Sequence, residues 1–432
     1  MKKRILLVAV LQLFLVLNGC SSDSGSDSEP TPEPPVVIIK TAKATSYSKN
    51  SGETGETISI YGENFSDKIS DITITFDGVA ATIVSSTANE IVFKLPATEK
   101  LVPKLSLTIE NRTVSNEVKN DYQGNIGILP KASISEWFTM ENVVKKDSKI
   151  YNMQIFNDKI MYYSMADYGG SGAYRTLDGG ITFKEWGRTG FSGAFSATKN
   201  DEGWADTSFW IQKVPVGGSA TMDFIETAKG GSYYSVYVDS DMKNGTIISL
   251  KGDVYTTTNG VDFSQVYDAH FKDEGYEDGS ISRSAEIDNN HIWAAGQKTV
   301  GKIYYPFILF KNNETDGWKE HYLVNEPNSF VAEVSFADKI NGFILIANSS
   351  IYKTINGGDT WSKVYTGEKF TKFTFKDGNT GWAVLENKIY KTTDGGVSWI
   401  LDYTHDQSIR GISYKNNVVW AISTDKIIKR YL

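Results

Sequence analysis

Residues able to grip an anion, hold a metal or move a proton are sparse in this sequence, and their placement is uneven. Past residue 123 there are five arginines, Arg175, Arg188, Arg283, Arg410 and Arg430, each offering a planar fork of N–H donors that matches a carboxylate. Between Phe271 and Asp278 four carboxylates fall within six residues: Asp273, Glu274, Glu277 and Asp278. Calcium takes about six to eight oxygen ligands and could draw on such a segment, but the spacing is not that of an EF-hand. A solvated acidic loop is the simpler reading, and no metal or cofactor is assigned. The four histidines, His270, His291, His321 and His405, lack the i, i+4 pairing of a zinc-binding helix. A single cysteine, Cys20, excludes disulfide frameworks, thiolate zinc sites and iron–sulfur clusters together.

The chain that must position these groups has 432 residues, with 44 Lys+Arg against 52 Asp+Glu and a net charge of -8. At roughly 100 to 200 residues per domain, two to four domains fit. An acidic balance without basic runs argues against nucleic acid, because phosphate binding needs clustered Lys and Arg to release counterions. With 38 Gly, 23 Tyr, 21 Phe and 10 Trp but only 10 Pro, the composition is turn-rich and aromatic, as all-β proteins are.

Cys20 has a context of its own. Lys2, Lys3 and Arg4 precede an apolar run from Ile5 to Leu17, which reads as a secretory signal and is too short for a stable span. Leu17-Asn18-Gly19-Cys20 resembles the bacterial lipobox, which implies cleavage of residues 1–19 and lipidation of Cys20. The following Ser21 to Glu29 is Ser/Asp-rich, and four prolines lie between Pro30 and Pro35, so residues 20–35 read as a solvated tether. An acidic Ser/Asp run directly after the cysteine looks like the surface-export signal of Bacteroidetes lipoproteins. Removing Lys2, Lys3 and Arg4 from the 44 cations leaves 41 against 52, a net of -11. The lipid, rather than surface charge, would then hold the protein at the outer membrane.

From Val36 to Tyr122 apolar residues alternate in short runs, at Thr57–Tyr61, Ile72–Phe76, Ile91–Phe93 and Leu105–Ile109. Asp77-Gly78 marks a hairpin turn. Ser51 to Phe65 (SGETGETISIYGENF), Ile74 to Ser86 and Glu90 to Pro96 resemble the IPT/TIG family. That resemblance implies an immunoglobulin-like sandwich over 36–122, serving mostly as a spacer or interaction module. Gly55 and Gly62 are expected at positive-φ turns, and Phe65 at one end of the core.

All ten tryptophans lie beyond residue 136. The turn sequences starting at Tyr174 (YRTLDGGITF), Tyr255 (YTTTNGVDF), Tyr352 (YKTINGGDTW) and Tyr390 (YKTTDGGVSW) repeat one another. One strand earlier stand Tyr162, Trp204, Ile247, Trp293, Phe343, Trp382 and Trp420, spaced 42, 43, 46, 50, 39 and 38 residues apart. Seven units of several short strands predict a seven-bladed β-propeller over 124–432. The last unit has three strand candidates, so Glu136 to Thr139 is expected to close the ring as its fourth, removing an exposed edge. The Thr-x-Asp-Gly-Gly turn resembles the Asp-box of the BNR family at Asp178, Asn259, Asn356 and Asp394, and is barely visible around Asp316-Gly317-Trp318. Such turns are architectural: the Asp or Asn caps backbone N–H groups, the glycines take φ values other residues avoid, and Phe183, Phe263, Trp361 and Trp399 pack between blades.

Propellers of this type include sialidases and the assembly-factor propellers of photosynthetic membranes, so the fold leaves function open. A sialidase needs three arginines on a substrate carboxylate, and Arg188, Arg283 and Arg410 are near unit entrances, but the Arg-Ile-Pro motif that opens sialidase domains is missing. A ligand face is expected on the loops entering each unit and those joining its second and third strands. There we place Asp167 to Gly170, Trp186 to Phe191, Ser208 to Trp210, His270 to Asp278 and Lys298 to Tyr305. The candidate contacts are Trp186, Arg188, Phe209, Trp210, Tyr276, Arg283, Tyr305 and Arg410, because exposed aromatics beside polar groups suit sugar rings. The leading expectation is a monomeric, non-catalytic surface lipoprotein binding a glycan or a partner protein. The alternative is a glycoside hydrolase, sialidase-like or another exo-glycosidase.

Overall fold

Strict alternation builds the first sheets. In Ile72–Phe76 the isoleucines and Phe76 point inward and the threonines outward, and Asp77 (φ 48) and Gly78 (φ 88) both adopt the left-handed values of a two-residue turn into Val79–Ala80. This computed structural model describes residues 40–432 except 135, 142–147, 168–169, 219–222, 226–231 and 270–278. The leader over 1–19, Cys20, the tether over 20–35, Tyr168 and the 270–278 segment with Tyr276 therefore lie outside the described residues. Two sheets, one of five strands and one of four, pack around Ile58, Ile60, Ile74, Phe76, Ile91, Phe93 and Leu107 to form an immunoglobulin-like sandwich. Gly55 has φ 86, as its turn requires. Gly62 differs from expectation: it sits inside strand Thr57–Glu63 without a positive φ, and is glycine because a Cβ there would strike the Lys43 carbonyl and the Phe65 ring.

The sandwich does not end at Tyr122. Gly127–Leu129 pairs in parallel with Ser51–Glu53, and Ile126 and Ile128 are buried in the sandwich core. Leu129 and Tyr122 belong instead to the core of the next layer, with Ile181 and Trp420.

Beyond residue 137 the described strands form seven four-stranded antiparallel sheets, blades 1 to 7. Their innermost strands are Lys149–Ile155, Phe195–Ala197, Tyr233–Val238, Gly279–Asp288, Val331–Phe336, Lys372–Phe375 and Ile409–Lys415. All seven line one central channel of about 750 Å³. Blade 7 closes across the chain: Phe138–Glu141 pairs with Lys426–Tyr431, two residues later than the sequence suggested. The protein is thus all-β, an immunoglobulin-like sandwich followed by a seven-bladed propeller. Among the described residues no helix is long and apolar enough to cross a membrane.

Blades are joined by a repeated stack. The second-strand aromatic of one blade lies on the last first-strand aromatic of the next: Trp293 on Phe336 with ring centroids 3.5 Å apart, and Phe343 on Phe375 at 3.4 Å. A third-strand cation lies over the second-strand aromatic in three blades, Lys353 over Phe343, Lys391 over Trp382 and Lys429 over Trp420. The cation also crosses to the neighbouring blade. Lys353 donates to the Gly378 carbonyl (2.6 Å), Arg175 to Gly217 (2.8 Å) and to Asp201, and Lys429 to Asp158 (2.8 Å).

The glycine turns complete each junction. In the turn at Asp178, Thr176 donates to the carboxylate (2.8 Å) and accepts from the Gly180 N–H (2.8 Å), while the same carboxylate receives the Thr182 N–H (3.0 Å). Asn356 and Asp394 repeat this pattern, and Asn259 keeps it in a tighter turn. Donors from Ser398 pull the Asp394 carboxyl down to about 2. In blade 4 the capping residue is Asn313, whose side-chain oxygen accepts from the Thr315 and Asp316 N–H groups, rather than Asp316. Phe263 packs edge-on to Trp204 of the preceding blade, and Trp399 to Phe375 of its own.

Lys429 gives this architecture a pH signature. It is fully buried, and burial pushes its ammonium down to about 7 from 10.5. Between those values the folded chain binds fewer protons than the unfolded one, so the stability contributed by this group rises as pH climbs from about 7 toward 10.5. Thermal unfolding followed from about pH 6.5 to 9.5 should show that rise in the parent and lose it in Lys429→Met.

Candidate functional site

Antiparallel pairing divides the propeller into two faces. The inner strands begin, and the second strands end, on what we call the upper face; the glycine turns lie on the lower. The sandwich is attached below: Tyr122 donates to the Asp178 carboxylate at 2.7 Å, Lys184 pairs with Asp121 at 2.8 Å, and Leu129 packs under Gly179. That attachment leaves the upper face clear of the sandwich contacts.

On the upper rim at blade 2 the chain turns twice over a buried acid. Asp206 accepts from Ser192 Oγ (2.6 Å) and the Tyr233 N–H (3.2 Å), and burial raises its carboxyl to about 6 against these donors. Gly190 N–H binds the Asp206 carbonyl and Phe191 N–H binds Ser208 Oγ, which holds the 188–195 loop against the 206–211 loop. Fastened this way, the two loops expose Phe191 at 76%, Phe209 at 68% and Trp210 at 42%, the last leaning on Phe224. Three exposed aromatics thus stand on two loops that are fastened to each other.

The mouth of the channel is charged. Glu333 on the inner strand of blade 5 bonds Lys372 of blade 6 at 2.6 Å and pairs with Arg283 of blade 4 at 3.7 Å. Lys149, the first residue of the blade 1 inner strand, lies over the Tyr151 ring at 5.0 Å. Burial, then the charges of Arg283 and Lys372, hold its ammonium below the usual lysine range. Deeper in the channel Glu286 accepts from Ser235 at 2.6 Å, and burial raises its carboxyl despite that bond and a second from Ser284. Inner strands are stitched laterally here: the Gln154 amide both donates to and accepts from the Ala197 backbone at 2.9 Å.

The sequence-predicted residues divide. Phe209 and Trp210 are exposed on the 206–211 loop. Arg410 is the second residue of the blade 7 inner strand and donates to the Ser148 carbonyl at 2.5 Å, whereas Arg283 lies midway along that of blade 4. Tyr305 is half-buried in the blade 4 hairpin, opposite Lys298. Arg188 is exposed but on the outermost strand of blade 1, apart from the inner-strand arginines. Trp186 is a correction: it is fully buried between Tyr162 and Phe195 at the blade 1–2 interface and cannot touch a ligand. Lys149, Glu333 and Lys372 went unremarked, because a charged residue opening a strand looks like an ordinary solvated one until the ring brings inner strands together.

The described tyrosines that donate to carboxylates, Tyr122, Tyr162, Tyr267, Tyr322 and Tyr352, line none of the channel. Among the described residues no cluster of three His, Cys, Asp or Glu could hold a metal.

Fold and site together define a β-propeller fastened to an immunoglobulin-like sandwich, with a charged channel mouth and an aromatic rim. Residues 42–124 match the IPT/TIG domain family. No curated protein sequence matches the chain. Solved structures similar to it include YCF48 from Cyanidioschyzon merolae, at 15% identity and TM-score 0.50, covering 68% of this chain and 98% of that one. Others are the WD40 β-propeller domain of Doa1 (12%, TM-score 0.46, 67% and 97%) and an auxiliary nutrient binding protein from Bacteroides thetaiotaomicron (11%, TM-score 0.36, 91% and 98%). At these identities the likeness is of fold alone.

The burial of Trp186 and the exposure of Phe209 separate packing from contact. Trp186→Ala is expected to cost about 3–5 kcal/mol of stability, whereas Phe209→Ala stays within about 0.5 kcal/mol. Denaturant midpoints of the two variants check this.

Proposed function

We propose that this protein is a lipid-anchored surface protein that binds a glycan on the upper face of an Asp-box propeller, without turning it over. The platform of Phe191, Phe209 and Trp210 carries the reading, since sugar rings present an apolar face to aromatics and a hydroxyl rim to nearby polar groups. The sandwich, fastened to the opposite face, acts as a stalk that holds the platform away from the anchor. Bacteroidetes-type export through Cys20 fits the acidic tether that follows it.

Two measurements test this. On an array of polysaccharides the parent binds at least one class, and Phe209→Ala/Trp210→Ala loses that signal by roughly tenfold or more with its thermal unfolding unchanged. A blank array would leave a partner protein as the ligand. Cys20→Ser should move the protein from the membrane to the soluble fraction; unchanged anchoring would sink the lipoprotein reading.

Arg283 at the channel mouth keeps a glycoside hydrolase as the second reading. Turnover of fluorogenic glycosides that disappears in Arg283→Ala would establish it in place of simple binding.

A further inference from the structure

Asp206 is the point at which the two upper-rim loops are tied together, and it is fully buried. Its N–H donates to the Ala194 carbonyl at 3.0 Å and its own carbonyl accepts from the Gly190 N–H at 2.6 Å, so its backbone is bonded to both ends of the 190–194 segment. The carboxylate adds Ser192 Oγ at 2.6 Å and reaches blade 3 through the Tyr233 N–H at 3.2 Å. The loops are in close contact above it. A Cβ on Gly190 would strike the Ser208 hydroxyl and backbone, and Ser208 itself holds φ 76, a left-handed value that few residues other than glycine adopt.

These bonds can outlast protonation of the acid. Ser192 Oγ accepts from the Ala194 N–H at 3.0 Å, which uses one of the two lone pairs of a hydroxyl. The other can accept a proton carried on Asp206 Oδ2, so donor and acceptor exchange roles along the same line, while Oδ1 goes on accepting from Tyr233. The neutral acid keeps its partners and escapes the penalty of a buried charge, and burial accordingly outweighs the donors and holds the carboxyl at about 6, above the ordinary 3.8. An opened loop returns the group to water, where the charged form is favoured again. The inner strand of blade 3 presents Tyr233 and Tyr234 to it, and burial first, with the Asp206 charge among the further causes, raises both hydroxyls. On the third strand of blade 2, Lys213 shares its sheet face, two positions beyond Ile211, which pairs with Asp206. Arg188 ends the outermost strand of blade 1 and is exposed. Neither tyrosine changes charge between about pH 5 and 7.5, whereas Asp206 does.

We propose that Asp206 is an acid-responsive latch: uptake of one proton tightens the 188–195 and 206–211 loops on each other, so that Phe191, Phe209 and Trp210 are better ordered, and hold their glycan more tightly, in mildly acidic than in neutral surroundings. This rests on the glycan reading above and names the regulation of that same surface. A carboxyl that binds its proton more readily with the loops closed than with them open gives the closed loops a growing share as pH falls.

Hydrogen exchange on the full, unliganded chain reads the latch. Corrected for the intrinsic pH dependence of exchange, protection of the Gly190 and Tyr233 amides should rise about tenfold from about pH 7.5 to 5 in the parent. It should stay level in Asp206→Asn, whose side chain carries no charge at either end of that range. Ser192→Ala removes a donor to the charged form and should move the midpoint of the rise to higher pH. Affinity for the polysaccharide class that binds on the array should strengthen over the same range in the parent and not in Asp206→Asn. Protection that stays level in the parent, rises equally in Asp206→Asn or keeps its midpoint in Ser192→Ala overturns the latch, and the glycan reading stands as long as a polysaccharide binds. A rise that behaves as expected while no polysaccharide binds at either pH supports the latch and overturns the glycan reading. Polysaccharide affinity that is flat with pH in the parent overturns the regulation.

Discussion

The closing part of the ring rests on a contact made by Lys353 and Lys429, a third-strand cation seated on a second-strand aromatic and bonded to a carbonyl of the next blade. Lys429 shows it most fully: its ammonium lies 4.0 Å from the centre of the Trp420 ring and donates to the Asp158 and Gly179 carbonyls of blade 1. A buried amine with two fixed acceptors and a ring face is tolerable, whereas the same amine without them would not be. Because its acceptors belong to the neighbouring blade, each such cation turns a sheet that could not bury both faces alone into part of a closed ring. At blade 7 the contact joins the end of the chain to its beginning, alongside the strand Phe138–Glu141.

Closure in turn decides what faces where. Asp178 belongs to a turn that every glycine-turn blade uses internally, yet its carboxylate also receives the Tyr122 hydroxyl from the sandwich. A structural turn is therefore also a point at which the sandwich is fastened to the propeller. With the lower face of blade 1 occupied, the upper face is where Phe191, Phe209 and Trp210 stand exposed.

The upper face is itself built on buried polar order. Asp206, Ser192 and Ser208 fix two loops so that Phe191 and Phe209 stay in solvent. Exposed aromatics on untethered loops would tend to fold back onto the nearest apolar surface; here the backbone bonds beneath them prevent it. The charged mouth follows similar logic, since Glu333 bridges blades 5 and 6 and fixes Lys372 relative to Arg283.

Much of the fold was legible before any coordinates. Seven spaced aromatics, four recurring glycine turns and an alternating sandwich are local patterns, set by strand periodicity and turn stereochemistry, and these depend only on neighbours in sequence. The site was less so. Phe209 and Trp210 were recognisable because they sit in a loop between two strands, but Trp186, in an equally aromatic stretch, is core. Nothing local separates them; burial depends on which blade packs alongside. Gly62 and Asp316 were misjudged for the same reason, the glycine being required by a strand approaching from Lys43 and the cap of the blade 4 turn lying at Asn313 instead. The sequence by itself determined the elements, their number and their order. Only the closed ring decided that Lys149, Arg283, Glu333 and Lys372, spread over more than half of the propeller's length, stand at one channel mouth, because long-range electrostatics exist only once distant strands share a wall.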